Sequence, residues 1–170
     1  TLADWVGGAS ALLRPLVEAL ARETLGADKL HTDDTTVPVL APGHGRTRTG
    51  RLWVYVRDDR PAGDGAPPAV LFRYSADRKG ERPRDHLTGF QGFLHADAYA
   101  GYDVLYRPTG AQPSRIIPVA CWAHARRKFW EATMAKSAVA REGLARIGRI
   151  FAIDETWRDK SPNEIRSLRD

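Results

Sequence analysis

Three runs in the first half of the chain have the pattern of strands, and clusters of Pro and Gly separate them. From Gly50 to Arg57, Leu52, Val54 and Val56 take turns with Trp53 and Tyr55, the period-two alternation of a half-buried strand. His31 to Leu40 is rich in Thr and Val, with Pro38 marking an edge or a strand end. Ala69 to Tyr74 is a third run of this kind. The breakers between them, Ala41 to Gly45 and Arg60 to Pro68, are turn chemistry. Three antiparallel strands in succession, a meander, are therefore expected.

The rest of the chain changes period. Leu13, Leu16, Val17, Leu20 and Ala21 follow helical spacing, which predicts a helix from Ser10 to Leu25 with Pro15 in its first turn or kinking it, and Gly26 as its stop. After the meander, a short helix is expected from Arg82 to Gly89 and a compact strand from Gly92 to Ala96, ending on Asp97. A helical turn or two at Tyr102 to Tyr106 leads to a loop from Pro108 to Pro113. Ile116 to Trp122 reads as a fifth strand despite Pro118, and a helix follows from Ala123 to Ala140, continuing to Ala152. This order resembles an α/β ribonuclease H-like domain, whose first and fourth strands lie side by side in a mixed sheet with flanking helices. The expected division is a helical lead-in over 1–28, a ribonuclease H-like core over 29–140 and the start of a helical insertion over 141–170.

With 42% hydrophobic and 28% charged residues, 170 residues can build a core. No run of about 18 apolar residues occurs, so no membrane-spanning helix is expected, nor does a secretory signal open the chain. The first residue is not Met, and both ends read as helical, which suggests a piece of something longer. One cysteine, Cys121, cannot form an internal disulfide, and a cytoplasmic setting, nucleoid-associated in a bacterium, is the expectation. The net charge of +5 favours a polyanionic partner. The basic residues are clustered: Arg46, Arg48, Arg51 and Arg57 in one hairpin, Arg73, Arg78, Lys79, Arg82 and Arg84 in one loop, Arg126, Arg127 and Lys128 at one helix start.

Asp33 and Asp97 each follow a strand-like apolar run. On neighbouring strands, Cα atoms lie about 5 Å apart, and facing carboxylates there can share divalent ions about 4 Å from one another. Magnesium or manganese suits such a site, being oxygen-seeking and satisfied by one or two carboxylates. Taken singly, Asp33 also suits a strand-end turn and Asp97 an N-cap. The Cys121 and His124 pair lacks the further ligands that a structural zinc requires. Cys121 therefore reads as a buried strand residue and His124 as an ordinary helix-start residue, although a histidine there is also placed to touch phosphate.

Four stretches, His31 to Gly43, Thr47 to Val56, Leu94 to Tyr102 and Ala120 to Phe129, resemble the catalytic domain of transposases of the insertion sequence sixty-six family. The likeness runs in order over roughly residues 1 to 168. It implies a ribonuclease H-like fold and an Asp-Asp-Glu, magnesium-dependent cleavage and strand transfer on double-stranded DNA; a second copy of the chain, in a homo-oligomer, is a further expected partner. Asp33 would be the first acid and Asp97 the second, with Asp34 secondary; Arg46, Arg48, Arg51, Arg126, Arg127 and Lys128 would grip DNA phosphates. The family's third acid is expected in an Asn-rich segment that does not occur here, and its N-terminal coiled-coil and DNA-binding parts do not occur either. Glu131 is the internal alternative, following Asp97 at a separation like that of retroviral integrases; equally, it can pair with Arg127 or Lys128 on a solvated helix face. A ribonuclease H-like nuclease and a truncated, non-cutting remnant are the rival readings.

Overall fold

The computed structural model describes residues 1–108 and 113–169. In chain order these form α1 (Leu2–Leu25), β1 (Lys29–Val39), β2 (Arg48–Arg57), β3 (Ala69–Ser75), α2 (Glu81–His86), β4 (Gly92–Ala96), β5 (Ile116–Ala120), α3 (Trp122–Met134), α4 (Ala138–Glu155) and α5 (Pro162–Arg169). Short 3-10 turns lie at Arg60–Ala62 and Ala100–Leu105. Positions 109–112 of the expected Pro108 to Pro113 loop lie outside the described residues. Thr1–Asp58 with Ala66–Val119 forms one compact unit, and 59–65 with 120–170 a second.

The first unit is built on a five-stranded sheet of order β3-β2-β1-β4-β5. β1 to β3 form the expected antiparallel meander, and β4 lies parallel to β1 on its other side. This mixed sheet with its flanking helices is compatible with a ribonuclease H-like fold.

The pleat sorts each strand into two faces. On one, Leu30, Trp53, Tyr55, Leu71, Leu94 and Ala96 are buried, together with Ala21 of α1 and with Leu87, Phe90 and Tyr102. Trp53 and Tyr55 are fully buried, and aromatic side chains that bury about 150–250 Å² each gain roughly 4–6 kcal/mol of gross transfer energy at 25 cal/mol per Å². On the other face Val70, Phe72 and Tyr74 remain exposed.

Gly92 opens β4 at φ 134°, in the region that favours glycine. A Cβ there would lie 2.2 Å from the carbonyl oxygen of Asp28. That closeness lets the Phe93 N–H reach the Asp28 carbonyl at 2.8 Å, while the Gly92 N–H donates to the Arg115 carbonyl at 2.9 Å.

Two helices differ from expectation. α1 begins at Leu2, not Ser10, because Thr1 and Asp4 make a capping box: the Asp4 N–H donates to Thr1 Oγ1 at 3.3 Å, and the Thr1 amine donates to Asp4 at 2.6 Å. Pro15 lies inside this helix on its exposed stretch, where water can take the carbonyl that loses its donor. The helix expected to run on past Ala140 breaks in two. Lys136 adopts φ 59°, and Ser137 caps α4 by accepting the Ala140 N–H at 3.2 Å. α3 and α4 then pack closely enough that a Cβ on Gly143 would meet the Phe129 ring at 2.4 Å. Trp122, expected at the end of the fifth strand, instead starts α3.

Candidate active site

β1 carries two adjacent aspartates, and the pleat turns them to opposite faces. Asp34 stands opposite Trp53 on the covered face. Its carboxylate is 1% exposed. Arg51 Nη1 donates to its Oδ2 at 3.0 Å, and Arg78 reaches its Oδ1 with Nε at 2.8 Å and Nη2 at 2.7 Å. Burying a carboxylate is tolerable only with such charge-assisted partners.

Arg78 is itself held from several sides. Its guanidinium lies 3.9 Å from the centre of the Tyr99 ring, and the Tyr99 hydroxyl donates to the Arg78 carbonyl. Partial burial works against its charge, but the hydrogen bonds and charge of Asp34, with Asp97 adding, outweigh burial and raise its pKa further. Its Nη2 lies 3.5 Å from Asp97 Oδ2.

Asp33 faces the other way and is exposed; its Oδ1 accepts the Asp34 N–H at 2.8 Å. β1 and β4 pair in the register Lys29 with Phe93, Leu30 with Leu94 and His31 with His95. Two further residues along both strands, that register sets Asp33 opposite Asp97. Asp97 directly follows the last residue of β4. Its side chain is 22% exposed, and its Oδ1 accepts the Tyr99 N–H at 3.2 Å, a local bond that orients the carboxylate.

Three side chains beneath and beside the acids complete the neighbourhood. Tyr102 is buried and shares a hydroxyl contact of 3.3 Å with Thr32. Burial pushes its phenol well above the ordinary value, and the charges of Asp97, Asp34 and Asp33 push in the same direction, so all three carboxylates act on one ring. One pleat before the acids, His31 and His95 meet with Nδ1 atoms 2.9 Å apart and ring centres 4.7 Å apart. One ring must donate and the other accept. His95 Nε2 is buried without a hydrogen-bond partner among the described residues.

The basic residues singled out from the sequence separate into three settings. Arg46 and Arg48 are exposed in and beside the β1–β2 connection, Arg48 contacting His44 at 2.6 Å. Arg51 is turned inward to Asp34. Arg126, Arg127 and Lys128 are exposed on the early turns of α3. Glu131 lies further along α3, with Lys128 Nζ at 3.2 Å and Arg127 Nε at 4.0 Å. Cys121 is a half-buried residue at the N-cap of α3, not a buried strand residue, and His124 is half-buried in the first turn of that helix.

Chemically, Asp33 within β1 and Asp97 just past the end of β4 carry hard oxygen donors. Among the described residues, no three or more His, Cys, Asp and Glu side chains gather as a metal-holding group. A donor set of two carboxylates suits magnesium, which keeps several waters and completes its shell with substrate phosphate oxygens. No described helix is long and apolar enough to cross a membrane. Sequence reasoning missed Arg78, Tyr99 and the histidine pair; the repeated His-x-Asp of His31 to Asp33 and His95 to Asp97 was a readable signal for the last.

The family described as "Transposase IS66 family" matches residues 1–170. Three uncharacterized proteins of Sinorhizobium fredii (strain NBRC 101917 / NGR234) are similar along nearly the whole chain. Protein y4hP is 38% identical over 99% of this chain and 32% of its own length. Protein y4qI is 36% identical over 92% of the chain and 29% of its own length. Protein y4jD is 32% identical over 99% of the chain and 34% of its own length. The chain thus spans about a third of the length of these relatives.

Proposed function

The chain belongs to the IS66 transposase family, and from that premise we propose that it is the central part of a transposase catalytic domain, with Asp33 and Asp97 as two of the acids that work on DNA. The observation that supports this reading is the parallel register of β1 and β4, which pairs His31 with His95 and, continued two residues, aligns Asp33 with Asp97 along the chain. In this reading Asp33 and Asp97 hold magnesium or manganese. A bound divalent ion supplies Lewis-acid stabilisation of the charge that develops on phosphodiester oxygens, and it eases deprotonation of the attacking water or 3′-hydroxyl.

The chain's own residues do the rest. The Tyr99 N–H fixes one oxygen of Asp97 and the Arg78 guanidinium stands beside the other, so the carboxylate is oriented before substrate arrives. Asp34 is occupied by Arg51 and Arg78, which removes it from the set of available ligands. Arg46, Arg48, Arg126, Arg127 and Lys128 are exposed cations suited to DNA phosphates, a contact that positions the duplex without reading its sequence. The third acid is contributed by the remainder of the longer protein, because Glu131 is engaged by Lys128 and Arg127 and the relatives are about three times as long as this chain.

Calorimetric titration of the chain with manganese tests the reading. Wild type is expected to bind, and Asp33→Asn or Asp97→Asn to weaken binding by more than the roughly 10–100-fold that loss of an outer-shell partner costs. Equal binding by wild type and the double variant would end the metal-site reading. Nicking of a labelled transposon end then separates the alternatives. Hydrolysis without strand transfer favours a nuclease; metal binding without nicking, with activity present in the full-length protein, favours a piece that lacks its third acid. Inactivity in both favours a non-cutting remnant.

A further inference from the structure

The buried corner around Asp34 gathers two guanidinium groups on one carboxylate. Arg51 stands at 3.0 Å and Arg78 at 2.7 and 2.8 Å, and one of them would suffice to neutralise it. Asp97 draws on that charge only through a longer contact. At 3.5 Å from Arg78 Nη2, that carboxylate lies outside the 2.7–2.9 Å of a charge-assisted hydrogen bond.

Arg78 is at the same time rigid and reachable. Asp34 grips two of its nitrogens on one side, the Tyr99 ring lies under its plane, and 34% of its side chain remains exposed. An arginine fixed by a buried carboxylate, yet open beside a proposed catalytic acid, presents positive charge to whatever anion enters there, at no cost in reorganisation.

We infer that Arg78 is a substrate-contacting residue that binds a non-bridging phosphate oxygen of the DNA held at Asp97, with Asp34 and Tyr99 as the residues that position it. This inference rests on the proposed DNA-processing role and adds to it a named cation and the group that cation recognises. It also accounts for the neighbouring aspartates on β1. Asp33 lies on the exposed face, and Asp34 is used to aim an arginine.

Arg78→Gln tests it through two separate quantities: manganese affinity of the chain by calorimetry, and affinity for a short labelled duplex by fluorescence anisotropy, with calcium present so that nothing is cut. Duplex affinity is expected to fall about tenfold, and the slope of log K against log salt to shrink by about one, as for loss of one phosphate contact. Manganese affinity is expected to change far less than in Asp97→Asn, because the Tyr99 N–H still holds the Asp97 carboxylate while a competing cation has gone. Arg146→Gln, an exposed residue on α4, is the control for loss of one charge. If Arg78→Gln matches that control in duplex binding, the inference is overturned; if it loses manganese affinity as Asp97→Asn does, Arg78 acts only by holding Asp97 and the inference is equally overturned. The double variant Arg78→Gln with Asp34→Asn removes the buried carboxylate and its counter-charge together, and it gives the answer should the single variant fail to fold. Failure of the metal-site reading shows elsewhere, as wild-type manganese binding by Asp33→Asn and Asp97→Asn.

Discussion

Asp33 and Asp34 are the same residue type, adjacent on one strand, and the sheet puts them to opposite uses. Asp34 points to the face lined by Trp53, Tyr55 and Leu30, where a lone carboxylate is prohibitively expensive, and it is accordingly surrounded by Arg51 and Arg78. Asp33 points to the face of exposed Phe72 and Tyr74, where its carboxylate meets water. Such a group can exchange water for a metal or a phosphate-bound ion. The difference lies in solvent access, not in chemistry. A single pleat decides which of two equivalent acids is buried against arginines and which faces water.

The contrast can be broken most severely in the apolar part of the covered face. Trp53→Ala removes a fully buried indole and leaves Ser75 Oγ without its 2.7 Å donor, and it is expected to cost about 3–5 kcal/mol in urea unfolding. Phe72→Ala, on a side chain 56% exposed across the sheet, is expected to cost less than about 1 kcal/mol. The acids themselves come next. Asp34→Ala leaves two guanidinium groups without their anion and is expected to destabilise by about 2–4 kcal/mol, below the upper end for a buried pair because both arginines still reach water. Asp33→Ala is expected to stay within about 0.5 kcal/mol by thermal denaturation while abolishing metal binding, so that stability and function separate at adjacent positions.

The smallest expected effect is a pH dependence of the covered face. His86 packs edge-on to Trp53 and Tyr55 and shares a 2.9 Å contact with the Tyr55 hydroxyl. Burial, with the charge of Arg73 adding, lowers its pKa below the ordinary 6.5. The unfolded chain therefore takes up a proton that the folded chain resists. Stability is complete above pH 6.5 and declines as pH falls through that value toward the lowered one. Urea midpoints measured between pH 7 and pH 5 should show the decline in wild type and a flatter profile in His86→Gln.

The strands were legible because their cause is local. Leu52, Val54 and Val56 against Trp53 and Tyr55, and the Pro and Gly clusters between runs, are enough to specify a meander, and the bounds of β4 follow from its own five residues. The adjacency of β1 and β4 was legible because strand order implied it. The partition of Asp33 from Asp34 was not. It depends on Arg78, far along the chain and hidden among the basic residues of a loop that read as a solvated or DNA-facing cluster. Arg51 was placed in the DNA-facing group for the same reason: a sequence shows that an arginine is present, but not which carboxylate folding brings to it. The break between α3 and α4 did have a local sign, since Ser137 is a capping residue, but the apolar residues on both sides masked it. Gly7 and Gly8 likewise diluted the helical pattern of the first turns of α1, although Thr1 and Asp4 stood at capping-box spacing.

Gly92 has a consequence for how this chain tolerates length changes. The strand pairing is fixed where Gly92 presses on Asp28 and is carried to the other end of β4, where Asp97 comes into line with Asp33 along the register. Residues added to or removed from the connection between Val39 and Arg48, or between Arg57 and Ala69, leave that alignment untouched. One residue gained or lost between Gly92 and Asp97 takes the second acid out of step with the first. The spacing of the two acids along the sequence is therefore elastic in its loops and rigid over its last few residues, and only that final stretch acts as the ruler.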